Sequence, residues 1–342
     1  MAESLCAPMQ AAAMHVPVRA GITATGRFTP GWVMDNHELV SRHGLKVDDA
    51  WIVDRTGIRS RHWLPPDETT SDMAVRAAQA CLTEAGLQPG DIDRIILATI
   101  SPDRPSPSTA TTVAYKLGAR CMAFDVSAAC SGFLYGLDLA AGALHMGARR
   151  VLVIAADTRS RYLNPKDHRS MVLFADGAAC ALVEPVAQGG LLSVVCGAEG
   201  QAHVGAFVPA GGAQRPASAE TVAAGEHYLQ VDPTADIFEK YVRYVQEASS
   251  LALDRAHCTM DDIDLFITHQ GNGRLVQIAA DAMGVPAHKV VNEVAHHGNT
   301  AGATIPIVLD ELRRDGRLRA GMRVLFSAAG AGITFAAAVH QF

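Results

Sequence analysis

Phe124-Asp125-Val126-Ser127-Ala128-Ala129-Cys130-Ser131-Gly132-Phe133 is the stretch on which the reading of this chain turns. The apolar run 121–126 predicts a buried strand, and 132–145 carries apolar residues at helical spacing, so Cys130 falls where strand becomes helix. A thiol at such a corner meets the free N–H groups and positive dipole end of the helix, which favour a thiolate and lower the cysteine pKa. The small neighbours Ala128, Ala129 and Gly132 leave room for a substrate. Read alone, the same stretch fits a buried, inert cysteine equally well.

Outward from this corner the pattern is α/β. The run Val151-Leu152-Val153-Ile154-Ala155-Ala156 is apolar on both faces, as in a parallel strand covered by helices, and completes a strand–helix–strand unit. Upstream, a helix is predicted over 71–85 with Gly86 as its stop, followed by a strand over 95–100. The three prolines in Ser101-Pro102-Asp103-Arg104-Pro105-Ser106-Pro107-Ser108 remove backbone donors, which makes this piece a loop leading into a helix capped near Ser108. Nearer the start, a strand over 20–26 closes at Pro30-Gly31, and Asn36 caps a short helix to His43. The segment 51–62 interleaves Trp51 with Arg55, Arg59 and Arg61. It reads either as a solvated basic loop or as a grip on adenine and phosphate. Over 171–183 a turn and a strand meet at Asp176-Gly177.

The second half echoes the first. Asp91-Ile92-Asp93-Arg94-Ile95-Ile96 is repeated as Asp262-Ile263-Asp264-Leu265-Phe266-Ile267, an offset of 171 residues, each copy preceded by an amphipathic helix. This predicts two similar halves, 19–188 and 189–342, behind a flexible lead-in over 1–18, with a long loop over 200–230 and a helix over 235–253. His269 stands at a strand-to-helix corner in Thr268-His269-Gln270-Gly271-Asn272-Gly273-Arg274, and Asn299 at another in Gly298-Asn299-Thr300. A Cys, a His and an Asn at three such corners supply a nucleophile and two hydrogen-bond donors to one thioester carbonyl. Taken singly, His269 also fits a core histidine.

Composition narrows the function. A formal net charge of -6 with scattered basic residues excludes a sequence-independent grip on nucleic acid. Seven cysteines without a C-x-x-C pair fit a reducing compartment, the cytoplasm, and argue against a zinc knuckle. His296 and His297 are adjacent and lack the spacing of a helical metal pair, so no metal is expected. Gly330-Ala331-Gly332 lacks the third glycine and the following helix of a dinucleotide loop, so no cofactor is expected. No apolar run approaches a membrane span.

Together the motifs resemble the β-ketoacyl-(acyl-carrier-protein) synthase III family of the thiolase superfamily, in order, from about Gly21 to Phe342. The resemblance is carried by Trp51-Ile52 with Arg55-Thr56-Gly57-Ile58-Arg59, by the Cys130 stretch, by Phe174-Ala175-Asp176-Gly177-Ala178, by His269 to Arg274, by Gly298-Asn299-Thr300 and by Gly330-Ala331-Gly332. It implies a five-layered α-β-α-β-α fold built from two duplicated halves, a homodimer, and a catalytic set of Cys130, His269 and Asn299. The implied reaction is decarboxylative condensation of an acyl-CoA primer with malonyl-ACP or malonyl-CoA through an acyl-Cys130 intermediate, with the amides of Cys130 and Ala331 as oxyanion hole. By motif position Trp51, Arg55 and Arg169 hold the CoA nucleotide, and Arg274 meets an acyl carrier protein.

Several positions depart from the family pattern. Ser106 stands where a bulky Phe is commonly contributed across the dimer, and Ala329 replaces the usual Phe of the C-terminal loop, which implies a wider acyl pocket. Gly271 replaces the motif's usual Ala, and Asp281-Ala282 replaces a basic pair used in carrier docking. A second reading is therefore a specialised relative of a secondary or cofactor pathway that loads a longer or polar acyl group, or transfers it to oxygen or nitrogen without decarboxylation. A non-catalytic partner in a heterodimer is a third, opposed by the intact Cys130, His269 and Asn299.

Overall fold

The structure, a computed structural model, describes residues 18–200, 205–231 and 237–342. The expected lead-in lies, as far as residue 17, outside the described residues. The strands of the first half are β1 (Ala20–Phe28), β2 (Trp32–Asp35), β3 (Ser60–Trp63), β4 (Arg94–Ala98), β5 (Met122–Val126), β6 (Val151–Thr158) and β7 (Asp176–Pro185). Those of the second are β8 (Gly190–Ala198), β9 (Ala206–Phe207), β10 (Gln230–Val231), β11 (Leu265–Thr268), β12 (Arg323–Gly330) and β13 (Thr334–Gln341). Between them run α1 (Asn36–His43), α2 (Asp49–Thr56), α3 (Thr70–Ala85), α4 (Thr109–Leu117), α5 (Gly132–His145) and α6 (His168–Met171). The second half adds α7 (Ala219–Ala223), α8 (Ile237–Ala256), α9 (Gly273–Ala282), α10 (Val294–His297) and α11 (Thr304–Arg314). Helices α1 to α4 each end on a glycine in the left-handed region, namely Gly44, Gly57, Gly86 and Gly118, whose N–H returns to a carbonyl of the last turn.

Two sheets dominate, ordered β1-β7-β6-β4-β5 and β8-β13-β12-β11. In the first, β4 runs parallel to β5 and β6, while β7 is antiparallel to β6 and β1. The second repeats this, with β11 parallel to β12, and β13 antiparallel to β12 and β8. An isolated parallel bridge between Phe266 and Val290 occupies the place that β5 holds in the first sheet. The offset of 171 residues recurs in detail: single turns at Pro89–Asp91 and Met260–Asp262 precede β4 and β11. After them Asp93 accepts the amides of Arg149 and Arg150, and Asp264 accepts that of Arg323.

Where the apolar residues go explains the layers. One cluster lies between the two sheets and joins α5 (Phe133, Leu134, Leu137) to α11 (Ile305, Ile307, Leu309) and to strands of both sheets. A second covers the other face of the first sheet with α3 and α4, and a third covers the second sheet with α8 and α9. The result is helix, sheet, helix, sheet, helix, the five-layered thiolase-like arrangement that the sequence implies.

Three local expectations change. The 121–126 run is an edge strand, β5, half-exposed and with Met122 open to solvent, because no strand among the described residues pairs with its outer side. The 51–62 segment is helix α2 followed by β3, and Arg61 is fully buried, donating to Asn36 Oδ1 (2.7 Å), Val172 O and Met34 O. The described part of the 200–230 loop contains α7 and the ribbon β9–β10.

Sheet and helix meet most closely at Gly26 of β1. A methyl group there would strike the Cys81 amide of α3 and lie 2.5 Å from the Ala77 carbonyl oxygen, both backbone atoms of a helix buried against the sheet. Overpacking of this kind costs about 1–3 kcal/mol even where side chains can yield. Gly26→Ala is therefore expected to lose at least about 2 kcal/mol of unfolding free energy, measured by denaturant titration; an unchanged midpoint would show that α3 stands further from β1.

Candidate active site

The chain passes from β5 through a single turn, Ala129–Ser131, into α5. Ala129 sits in the left-handed region (φ 46°), a conformation that turns the chain sharply and sets Cys130 at the helix start. At the matching corner of the second half, before α11, Ala301 does the same (φ 51°). Three hydrogen bonds tie the Cys130 corner to the β12–β13 hairpin: Thr334 Oγ1 donates to Ala128 O (2.8 Å), and Ser131 Oγ to Thr334 O (3.1 Å) and Ala328 O (3.4 Å). Gly330 makes this approach feasible, since a Cβ there would lie 2.7 Å from the Cys130 amide nitrogen. Ala331, the next residue, borders the same cavity as Cys130.

His269 follows β11, its amide extending the pairing to Ser327 O (2.9 Å). Tyr241 braces it from α8, the phenol donating to His269 O (3.3 Å). Thr304 Oγ1, at the first turn of α11, accepts the Gln270 amide (3.3 Å) and stands 2.7 Å from His269 Nδ1. The direction of this bond follows the tautomer: where the hydroxyl donates to Nδ1, the ring proton sits on Nε2, the nitrogen nearest Gly271. Asn299 is stitched between Leu173 O and the Ala175 amide (both 2.9 Å). Its Oδ1 accepts the Ala301 amide (2.9 Å), so the amide of the side chain presents its NH2 to the cavity. Gly271 shows how near the two donors come: a Cβ there would be 2.6 Å from His269 Nε2 and 3.3 Å from Asn299 Nδ2.

Cys130, His269, Asn299, Gly271, Ala329 and Ala331 all border one cavity of about 270 Å3 whose remaining wall is mostly aliphatic and aromatic. Burial sets the protonation states. It lowers His269 to about 4, so the imidazole is neutral at pH 7. It pushes the Cys130 thiol up to about 12, an effect that Asp157 augments and that Arg159 and the Cys130 amide oppose. The lowered thiol pKa expected from the helix start is thus reversed by desolvation, and the resting pair is a neutral thiol beside a neutral imidazole.

The other expected residues lie outside this cavity. Ser106 is exposed on its loop and borders neither this cavity nor the neighbouring one of its own chain, whereas Ala329 lines the first. Trp51 is 36% exposed on α2, in edge contact with His168 of α6, with the Arg55 guanidinium 6.0 Å from its ring. Arg55 O accepts from Asn272 Nδ2 (3.1 Å), which joins α2 to the His269 loop. Arg169 pairs with Asp167 (3.0 Å), and Arg274 is exposed at the first turn of α9. Of the adjacent histidines, His297 pairs with Glu311 (2.9 Å) and His296 is exposed.

Residues 124–200 match the family model described as 3-oxoacyl-(acyl-carrier-protein, ACP) synthase III, and residues 253–342 match that of its C terminal. The β-ketoacyl-(acyl-carrier-protein) synthase III of Symbiobacterium thermophilum is 42% identical over 320 residues, 93% of this chain and 96% of that protein. That of Clostridioides difficile is 40% identical over 326 residues, 95% and 98%. Among solved structures, the 3-oxoacyl-(acyl-carrier-protein) synthase III of Aquifex aeolicus VF5 superposes with a TM-score of 0.85 at 33% identity, covering 94% of this chain and all 100% of its own. The chain belongs to the β-ketoacyl-(acyl-carrier-protein) synthase III family. It is an acyltransferase of the condensing type, within the thiolase superfamily.

Within this family the site holds residues that the sequence did not single out. Thr304, Tyr241, His168 and Asp157 act through contacts between segments far apart in the chain, and none belongs to a motif with its own spacing. Gly271 was visible as a departure from the motif; its steric role was not. A Cβ at 271 would press on the tip of the His269 ring, and because Ala is the residue usual in the family motif, Gly271→Ala is expected to move the ring only slightly and to keep decarboxylation of a malonyl thioester within a few-fold of the unmodified enzyme, with Cys130 acylation, followed by intact mass, unchanged. Equal loss of both half-reactions would show that the methyl group distorts the whole site.

The neutrality of His269 sets a pH dependence. A histidine lowered by burial stays a neutral donor until the pH falls through its folded value. The acid limb of kcat for decarboxylation, attributed by its loss in His269→Ala, is expected near pH 4, below the ordinary histidine value of about 6.5. A limb at 6 to 7 would show that the imidazole is solvated in the working enzyme.

Proposed function

We propose that Cys130, His269 and Asn299 carry the two half-reactions of a decarboxylative condensation between an acyl-CoA primer and a malonyl thioester. The observation that carries this reading is that the Cys130 thiol and two N–H donors, His269 Nε2 and Asn299 Nδ2, converge on one apolar cavity. In the first half-reaction the Cys130 sulfur bonds to the acyl carbon, the bond from that carbon to CoA breaks, and the thiol proton leaves with the CoA sulfur. The oxyanion is received by the amides of Cys130 and Ala331. In the second, His269 and Asn299 hydrogen-bond the malonyl thioester oxygen. Carbon dioxide departs, leaving its bonding electron pair in an enolate, and the enolate carbon attacks the acyl-enzyme. Collapse releases the β-ketoacyl thioester and the Cys130 thiolate, which takes up one proton. A neutral imidazole suits this role, because it donates through Nε2 without adding a charge that the dry cavity would oppose.

The relatives' names favour this condensation over transfer to oxygen or nitrogen. For the CoA nucleotide we assign the cluster of exposed Trp51 and Arg55 and half-buried His168, with Arg169 beside it, as a stacking and phosphate-binding surface. The exposed Arg274, at the rim near Asn272, is the docking residue for an acyl carrier protein that delivers the malonyl group. The half-exposed edge strand β5 supports pairing with a second copy as a homodimer. The division at 188/189 is supported by the sheets, since strands of the first come from 20–185 and of the second from 190–341. No helix among the described residues is long and apolar enough to cross a membrane, and a cytoplasmic enzyme is the reading adopted.

The half-reactions separate by mutation. Cys130→Ala is expected to abolish acyl-enzyme formation, measured as loss of the mass increment on the peptide containing Cys130. His269→Ala and Asn299→Ala should still acylate but lose malonyl decarboxylation by about 100-fold or more. Acyl label on Cys81 or Cys258 in the unmodified enzyme would remove Cys130 from its role.

A further inference from the structure

Arg159 is the charge in this site that the proposed mechanism leaves unused. It follows β6 at the turn Arg159–Tyr162, is 97% buried by its 3% exposure, and lines the cavity that holds Cys130. Its guanidinium is held by two aromatic rings, 5.2 Å from the centre of Tyr162 and 5.5 Å from that of Phe174. Its Nε has no hydrogen-bond partner, and no carboxylate lies within 4 Å of it among the described residues. Asp157, two residues away, is engaged elsewhere: Oδ1 accepts from Thr99, Ile100 and Ser101, and Oδ2 from the Gly302 amide. No Asp or Glu is among the described residues lining the cavity, where Lys240 adds a second positive charge.

A buried guanidinium whose nearest carboxylate, Asp157, stands beyond hydrogen-bond range is disfavoured until a bonded partner arrives, and two rings over its face leave its edge to meet one. That edge is a fork of N–H donors suited to a carboxylate. Arg159 also lies where the Cys130 cavity joins a second one of about 910 Å3, the two sharing Ile100, Ala129, Ala206, Leu229 and Ala331. An acyl chain leaving Cys130 along these apolar residues reaches Arg159 first; Arg215, further along the second cavity, is already paired with Glu226. We propose that Arg159 binds the far carboxylate of the primer, and that the enzyme's acyl substrate is an ω-carboxyacyl thioester, the half-thioester of a dicarboxylic acid. This rests on Cys130 being the acylated nucleophile and keeps the condensation chemistry intact: the far carboxylate is bound and does not react.

The test follows acylation of Cys130 by intact mass under single-turnover conditions without malonyl thioester, and the complete condensation at steady state with it. Succinyl-, glutaryl- and adipoyl-CoA are compared with butyryl-, pentanoyl- and hexanoyl-CoA, which match them in carbon number and end in methyl. A pocket built to bond a polar group rejects the analogue that lacks it by orders of magnitude. The expected result is at least one ω-carboxyacyl-CoA preferred over its neutral match by about 100-fold or more in kcat/KM, with Arg159→Leu inverting the preference and Arg159→Lys keeping part of it. The comparison in the unmodified enzyme decides even if Arg159→Leu fails to fold. Preference for the neutral series overturns the proposal. So does an equal slowing of every acyl-CoA in Arg159→Leu, which would assign the guanidinium to the Cys130 thiol. A raised KM for the malonyl thioester with unchanged primer choice would assign it to the extender's carboxylate, and a changed oligomeric state with unchanged primer choice to a second copy of the chain; either outcome overturns it too. Absence of acylation by both series is a different failure, that of the acyl-Cys130 reading itself.

Discussion

The carboxylate of Asp157 holds the centre of this molecule together. It ends β6 fully buried between the two sheets and gathers the Ile100 amide (2.8 Å), the Ser101 hydroxyl (2.9 Å) and the Gly302 amide (3.2 Å). One of its oxygens thereby fixes the loop after β4, and the other the corner that begins α11. That corner abuts its counterpart: a Cβ on Gly302 would stand 3.3 Å from Ala129 O. The two strand-to-helix corners of the duplicated halves thus meet back to back, so that α5 and α11 start from one point and run between the sheets. Cys130 and Asn299 flank that junction, and Thr304 of α11 links His269 to it. Burial raises the pKa of Asp157, with Arg159 foremost among the groups that oppose the rise. The guanidinium therefore also supports the junction electrostatically from beyond hydrogen-bond range.

Desolvation governs the chemistry in the same way that it governs the core. It pushes the Cys130 thiol up and His269 down, so both are neutral in the resting site, and charge enters with the substrate. The donors are oriented beforehand by bonds on their far sides, Thr304 to His269 Nδ1 and the Ala301 amide to Asn299 Oδ1. In the proposed reaction such preorganisation is effective because the dipoles already point into the cavity where the enolate oxygen would form, with no reorientation required in the transition state.

The fold was largely legible because its signals are local. The αL glycine stops, the both-face apolar run of β6 and the repeated Asp-Ile-Asp before β4 and β11 each depend on residues a few positions apart. Two expectations failed for the same reason: whether a segment is covered depends on partners distant in the chain. β5 reads as buried but lies at a sheet edge, and Arg61 reads as part of a solvated loop or of a nucleotide grip but bonds Asn36 and Val172 inside the protein.

The sequence by itself determined the element order, the duplication, the three corners bearing Cys130, His269 and Asn299, and through their motifs the family. Tertiary structure alone decided that Ser106 stays on the surface of its own chain, that His168 joins Trp51, and that a buried, unpaired Arg159 faces the cavity of Cys130. Motifs record what neighbours in sequence can do, whereas desolvation, counter-charges and the shape of a cavity are sums over residues that only folding brings together.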